Sequence, residues 1–326
     1  MALMDSFGRK INYLRLSVTD RCNLRCIYCM PAEGICKLKH EEILKYEELL
    51  LLAETAVGIG IEKIRITGGE PLVRKGILRF LENLSGIQGL RQLVLTTNGM
   101  LLPEMAAGLR KAGVQRLNIS LDSLKPETFR RITRCGDLER VLTGIRAAEE
   151  QGFPIKLNMV VMRGINDDEI LEFAGLTLTK PYTVRFIEYM PTMKVPGWQS
   201  LVVTGGEIIR RICGPYRIRP LEREGSLAGP ARNYRIEGAA GRIGIITAVS
   251  SHFCRECNRI RVTSSGMAKG CLFDDTAYDL KPILRSGDRA TLETALREIV
   301  SRKPRKGFIC DAGSHRKPFD MSKIGG

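Results

Sequence analysis

Histidine is scarce in this 326-residue chain: His40, His252 and His315 are the three. That scarcity narrows any metal site built on imidazole without excluding one. Aromatic residues make up 6%, and the basic-plus-aromatic stacking pattern of single-strand nucleic-acid binders is not evident. No apolar run approaches the roughly 20 residues that span a membrane. The opening MALMDSFGRK has neither the apolar core nor the small-residue cleavage site of a secretory leader, so a cytoplasmic protein is expected. A phosphate loop of the G-x-x-x-x-G-K-[ST] type is also missing. Any nucleotide must therefore be held by cationic side chains.

Positive charge, by contrast, is plentiful. Lys and Arg number 51 against 36 Asp and Glu, a formal charge of +15. Such an excess favours an anionic partner: nucleic acid, a nucleotide or an acidic protein. Hydrophobic residues at 44% and charged residues at 27% allow a core of ordinary size. Ten cysteines are present, and in a reducing compartment clustered thiols read as metal or redox ligands rather than disulfides. Cys22, Cys26 and Cys29 follow C-x3-C-x2-C, and Cys254, Cys257 and Cys271 follow C-x2-C-x13-C. Cys36, Cys135, Cys213 and Cys310 are scattered and read as small buried hydrophobes or idle surface thiols.

Up to about residue 190, short β-branched runs alternate with helical stretches. Strands are expected at 13–19, 63–67, 92–97, 116–121, 155–161 and 183–189, with helices between them ending at glycines such as Gly58, Gly60, Gly113 and Gly152. Six β/α units imply a parallel sheet, either doubly wound or a barrel. In both, ligands gather at the carboxyl ends of the strands. The cysteine loop, GGEP, TNG and DS follow the first four strands in turn. Six strands fall short of the eight of a complete barrel. After 190 the rhythm breaks into Pro- and Gly-rich loops, two short strands, the second cysteine group, a helix near 288–302 and a basic tail ending IGG. The expected division is therefore 1–190 and a smaller α+β unit at 191–326.

Thiolates are soft ligands that suit zinc or iron–sulfur clusters. A closed zinc site takes four ligands, whereas three cysteines in one tight loop suit a 4Fe–4S cluster with one iron left open. The second group alone would read as a zinc knuckle completed by His252 or another residue. Arg259 and Arg261 flank Ile260, so on a strand both guanidiniums share one face and could fork onto a triphosphate.

Cys22–Cys29 with Tyr28 before the last cysteine, followed by Gly68-Gly69-Glu70-Pro71 at the end of the second strand, resembles the radical S-adenosylmethionine (SAM) superfamily. FCRECNRIRVT, the 13-residue gap and the terminal IGG resemble one branch of it along essentially the whole chain. That branch is the GTP 3′,8-cyclase family (molybdenum cofactor biosynthesis protein A). The resemblance implies an incomplete (β/α)6 barrel, closed on its open side by the C-terminal unit. It implies two 4Fe–4S clusters, on Cys22, Cys26, Cys29 and on Cys254, Cys257, Cys271. SAM would meet Tyr28, Gly69, Ser120 and Met190, and Glu70 would either neutralise local positive charge or brace the turn. GTP would meet Arg15, Arg65, Thr96, Lys156, Arg259, Ile260 and Arg261, with its base on the second cluster. One electron would cleave SAM to methionine and a 5′-deoxyadenosyl radical. That radical would take hydrogen from C3′ of GTP, and the resulting carbon radical would attack C8. A reductant or flavodoxin-type donor, a downstream pterin-forming enzyme, a homodimer, and a Gly325-Gly326 tail entering the pocket belong to the same expectation. Membrane and nucleic-acid partners do not. Two readings compete with it: a radical SAM enzyme modifying tRNA or a peptide, and a zinc-stabilised nucleic-acid adaptor.

Overall fold

The computed structural model describes residues 2–190, 197–223 and 225–307, and six β/α units run through its first part. The strands are β1 (Tyr13–Ser17), β2 (Lys63–Thr67), β3 (Gln92–Thr97), β4 (Arg116–Ser120), β5 (Ile155–Val161) and β6 (Thr183–Glu188). The helices between them are α1 (Tyr46–Gly58), α2 (Ile77–Ser85), α3 (Leu102–Lys111), α4 (Pro126–Thr133), α5 (Leu138–Glu150) and α6 (Ile170–Thr179). Each strand pairs in parallel with the next. Successive side chains point to opposite faces, which divides each strand in two. Leu14, Leu16, Ile64, Ile66, Leu93, Leu95, Leu117, Ile119, Leu157, Met159, Val184 and Phe186 join the hydrophobic core with the helices. Their alternates, among them Arg15, Arg65, Thr96, Ser120 and Arg185, face the other side and line a cavity. Gly113 and Gly152, at φ +82° and +68°, end α3 and α5 in the left-handed conformation that glycine adopts freely.

The rest of the chain adds α7 (Gly205–Cys213), β7 (Ile218–Leu221), β8 (Arg232–Ile236), β9 (Arg242–Ile246), β10 (Arg259–Val262), β11 (Met267–Lys269), β12 (Tyr278–Asp279), α8 (Lys281–Ser286) and α9 (Arg289–Ser301). Its strands do not form a sheet of their own. β9 pairs in parallel with β6 and β10 in parallel with β1, so the late strands extend the first sheet at both edges. Antiparallel strands follow on each side, giving the order β12-β11-β10-β1-β2-β3-β4-β5-β6-β9-β8-β7. Free strand edges carry unpaired backbone groups, and this arrangement satisfies those of β1 and β6. The order ends at β12 and β7 without closing, and residues of β10, β6 and the end of β9 all line one cavity. The sheet is thus an open, curved barrel.

The foot of this barrel is crossed by residues 226–231. Asn12 and Asn258 donate through Nδ2 to the Ser226 carbonyl at 3.3 and 3.2 Å, and Lys63 Nζ donates to the Leu227 carbonyl at 3.0 Å. Cys310, His315 and the Gly325-Gly326 tail lie outside the described residues.

Candidate active site

One cavity of about 1780 Å³, its open mouth included, holds both cysteine triplets in its wall. Arg15, Tyr28, Arg65, Gly69, Thr96, Ser120, Met190, Arg259 and Arg261 line it too. Residues scattered from position 15 to 271 therefore share one cavity: the first triplet and the GGEP turn follow the carboxyl ends of β1 and β2, whereas Cys254 and Cys257 precede the amino end of β10.

At one end the loop carrying Cys22, Cys26 and Cys29 is braced by backbone pairing. Gly69 N donates to Thr19 O at 2.7 Å and Glu70 N to Arg21 O at 2.8 Å. A Cβ on Gly69 would lie 2.6 Å from Arg21 C and 2.8 Å from Asp20 O, so only glycine fits this approach. Arg25 N and Ile27 N donate to Thr133 O and Ile132 O at 3.0 and 2.9 Å, docking the loop on the end of α4. Tyr28 Oη donates to Asp122 Oδ2 at 2.7 Å, and Asp122 Oδ1 accepts from Val160 N at 2.8 Å. Burial pushes Asp122 up to about 6 while those donors pull it down.

Glu70 resolves into a brace. Its carboxylate accepts from Leu72 N at 3.1 Å, Thr97 Oγ1 at 2.8 Å and Asn98 N at 2.7 Å, tying the turn after β2 to the one after β3. Burial nonetheless pushes its pKa up to about 7. Among the described residues no cation pairs with it. Asn98 in turn donates to Asn23 Oδ1 at 2.7 Å, passing the constraint to the cysteine loop.

The middle of the cavity is cationic. Arg15 sits opposite Arg65 on β2 and Arg261 on β10, a row of like charges across three adjacent strands. Arg185 of β6 completes the ring. Arg15, Arg185, Arg259 and Arg261 are buried, and among the described residues no carboxylate pairs with Arg65, Arg185, Arg259 or Arg261. Among the described residues, Nε of Arg65, Arg185 and Arg259, Nη1 of Arg261 and Oγ1 of Thr96 have no hydrogen-bond partner. Burial, then the neighbouring cations, lowers Arg185 to about 9 and Arg261 to about 10. Burial raises Tyr13, but Arg65, Lys63, Arg15 and Arg259 outweigh it and hold the phenol near 8. Buried donors without acceptors cost stability unless a ligand supplies them. An anion of high charge fits here.

A second cavity of about 750 Å³ lies deeper and shares Arg65 and Arg185 with the first. Lys63, Arg116, Lys156 and Arg242 line it, with no carboxylate among its lining residues. Burial, then Arg185, Arg116, Lys63 and Arg65, lowers Lys156 to about 5, so it is neutral at pH 7 in the free protein.

At the other end stand Cys254, Cys257 and Cys271, with His252 beside them edge-on to Phe273. Glu188, at the end of β6, is buried and holds the approach to this group. It accepts from Gly205 N at 2.7 Å and from Val249 N and Ser250 N at 2.8 Å each. Gly307 N donates to Cys254 Sγ and Lys303 Nζ to Cys257 Sγ, each at 3.4 Å. Among the described residues no three His, Cys, Asp or Glu side chains gather around a single ion. All-thiolate donor sets spread on a cavity wall suit a multi-iron cluster.

Two expected contacts fall elsewhere. Lys156 lines the deeper cavity. Ile260 lies in the hydrophobic core, because alternation on β10 turns it away from the face that carries Arg259 and Arg261. Arg185, Lys63 and Asp122 emerge only from the structure. The available signal was the strand period: Arg185 and Arg15 both occupy the inward phase of their strands, where apolar residues would otherwise stand.

Comparison with known proteins agrees with this geometry. Residues 16–177 match the radical SAM superfamily model, and 182–309 match the molybdenum cofactor synthesis C model. A curated GTP 3′,8-cyclase from Geobacter sulfurreducens is 63% identical, covering 100% of both chains. Another from Moorella thermoacetica is 47% identical, covering 99% of this chain and all of its relative. The crystal structure of Streptococcus suis SuiB matches with a TM-score of 0.59 at 14% identity, covering 90% of this chain and 69% of that one, a likeness of fold. The chain belongs to the radical SAM superfamily and, within it, to the GTP 3′,8-cyclase family.

Proposed function

We propose that this chain converts GTP to (8S)-3′,8-cyclo-7,8-dihydroguanosine 5′-triphosphate, an early step of molybdenum cofactor biosynthesis. The observation that carries the proposal is a single cavity with a cysteine triplet at each end and, between them, Arg65, Arg185, Arg259 and Arg261, with which no carboxylate among the described residues pairs. Membership of the superfamily brings SAM and a 4Fe–4S cluster. When bound, they supply a 5′-deoxyadenosyl radical. Cys22, Cys26 and Cys29 would hold that cluster, with Tyr28, Gly69, Ser120 and Met190 around SAM.

The chain's own part is placement and exclusion of water. Arg15, Arg65, Arg259 and Arg261 would bind the triphosphate, joined by Arg185 and Thr96, while Lys63 and Lys156 reach it from the deeper cavity. Nε of Arg65, Arg185 and Arg259, Nη1 of Arg261 and Oγ1 of Thr96, without partners among the described residues, are already buried at the cavity wall, so binding costs little reorganisation. Ile260 serves this site through the core, as the spacer that puts both arginines on one face. Cys254, Cys257 and Cys271 would carry a second 4Fe–4S cluster at the guanine end. Two anchors, base and phosphates, would fix C3′ for a reaction that needs near-contact geometry. In this reading residues 1–190 hold SAM and 191–326 complete the GTP site. A flavodoxin-type reductant, a pterin-forming enzyme that takes the product, and a homodimer remain parts of the proposal.

The test is anaerobic incubation of the iron–sulfur-loaded protein with SAM and dithionite, with and without GTP. The proposal expects 5′-deoxyadenosine to rise on adding GTP, alongside a cyclised product by mass spectrometry. Deoxyadenosine release that responds to tRNA or peptide and ignores GTP would replace it with the modifying-enzyme reading.

A further inference from the structure

The segment just after α9 packs directly on the second cysteine triplet. Lys303 is 3% exposed, yet it carries an ammonium group. Its Nζ donates to Cys257 Sγ at 3.4 Å and to the carbonyl of Gly270, the residue before Cys271. Among the described residues no carboxylate pairs with it. Gly307 N adds a donor to Cys254 Sγ at 3.4 Å, and a Cβ on Gly307 would sit 2.9 Å from Cys271 Sγ. Arg9 fixes this segment in place: its Nη1 donates to Cys254 O at 2.8 Å and its Nη2 to Pro304 O at 2.7 Å. At the first triplet Leu24 N donates to Cys22 Sγ at 3.4 Å and Arg25 Nη1 to the Cys22 carbonyl at 2.7 Å, with the buried carboxyls of Glu70 and Asp122 nearby in the cavity wall.

A buried Lys is costly unless its charge is used. Donors to cluster sulfurs and nearby positive charge favour the reduced form, whose core is more negative. We propose that Lys303 is a positioning residue whose charge, bonded to Cys257, raises the reduction potential of the second cluster. This rests on the second triplet holding a 4Fe–4S cluster. Reduction there adds one electron to the cluster, supplied by an external low-potential reductant.

The test isolates the second cluster in full-length protein carrying Cys22→Ala, Cys26→Ala and Cys29→Ala, reconstituted anaerobically and titrated with dithionite under electron paramagnetic resonance. About four irons per chain are expected; no iron at all in this background removes the second-cluster reading itself, before Lys303 is touched. Lys303→Met, which keeps the stem and removes the charge, is then expected to lower the reduced-to-oxidised ratio at a fixed potential at least tenfold, about 59 mV for a one-electron couple. Lys303→Arg should stay within a few-fold of the parent. Lys303→Gln, neutral but still a donor, separates charge from hydrogen bonding and is expected to follow Lys303→Met. Iron retained only in Lys303→Arg also supports the charge. An unchanged potential in either neutral variant, or loss of iron from all three, overturns the proposal.

Discussion

Replacing Arg185 with Met should make the ligand-free protein more stable and GTP binding weaker. Arg185 is 6% exposed, its Nε has no partner among the described residues, and burial with Arg65 nearby holds its pKa near 9. A buried donor left unsatisfied costs about 1–3 kcal/mol, and Met keeps most of the stem, whose Cγ lies beside Gly244. Relief of that cost should raise Tm by a few degrees, since about 1 kcal/mol shifts Tm by roughly 2–4 °C in domains of 150–250 residues and less in a longer chain. Against GTP the sign reverses. A charge-assisted hydrogen bond contributes about 1.5–3 kcal/mol, so Kd should rise on the order of 10- to 100-fold. Differential scanning calorimetry of the free protein and anaerobic titration with GTP read the two effects. A lower Tm together with unchanged GTP affinity would make Arg185 an ordinary structural residue and refute the reasoning.

Three further outcomes follow from the same geometry. Lys156 is neutral near pH 7 when free, with a pKa near 5 against 10.5 in an unfolded chain. Between those values the unfolded state binds the extra proton, so this group's contribution makes the free protein more stable as pH rises. A triphosphate at the site should recharge the amine, so calorimetry in buffers of different ionisation enthalpy should show proton uptake on GTP binding near pH 7.5; Lys156→Met should reduce it by most of one proton, leaving the smaller share of Tyr13. Gly69→Ala should cost the protein the iron of its first triplet while the second keeps its own, measured as iron per chain, because the new Cβ meets the backbone of Asp20 and Arg21. Tyr28→Phe removes the donor to Asp122 Oδ2 at 2.7 Å and should weaken the cysteine loop by about 1–3 kcal/mol, read as faster iron loss to a chelator.

The β/α rhythm made the six central strands legible because each is a short β-branched or alternating run, the first four are ended by a motif, and helical stretches separate them. α4 was harder to see. It is eight residues long, begins at Pro126, and stands between a site loop and the stronger pattern of α5. α7 was hidden in the same way by the loop-like composition around it. That β9 and β10 would join opposite edges of one sheet is a long-range pairing, and local periodicity carries no record of it. Among the site residues, the cysteines and the GGEP turn could be read because their spacing is dictated by chemistry. Arg185 could not, because TVRFIEY reads as a plain strand until its neighbours show which phase faces inward. Glu188 likewise shows its purpose only when the 249–250 backbone arrives from 61 residues away.

The central claim is that SAM and GTP share one cavity, with the ribose of GTP fixed between the two cysteine triplets. GTP carrying deuterium at C3′ tests it most directly, by mass spectrometry of the nucleosides after anaerobic turnover with SAM and dithionite. Deuterium should appear in 5′-deoxyadenosine in step with the cyclised product. Deoxyadenosine formed without deuterium, at the same rate whether or not GTP is present, would contradict the account.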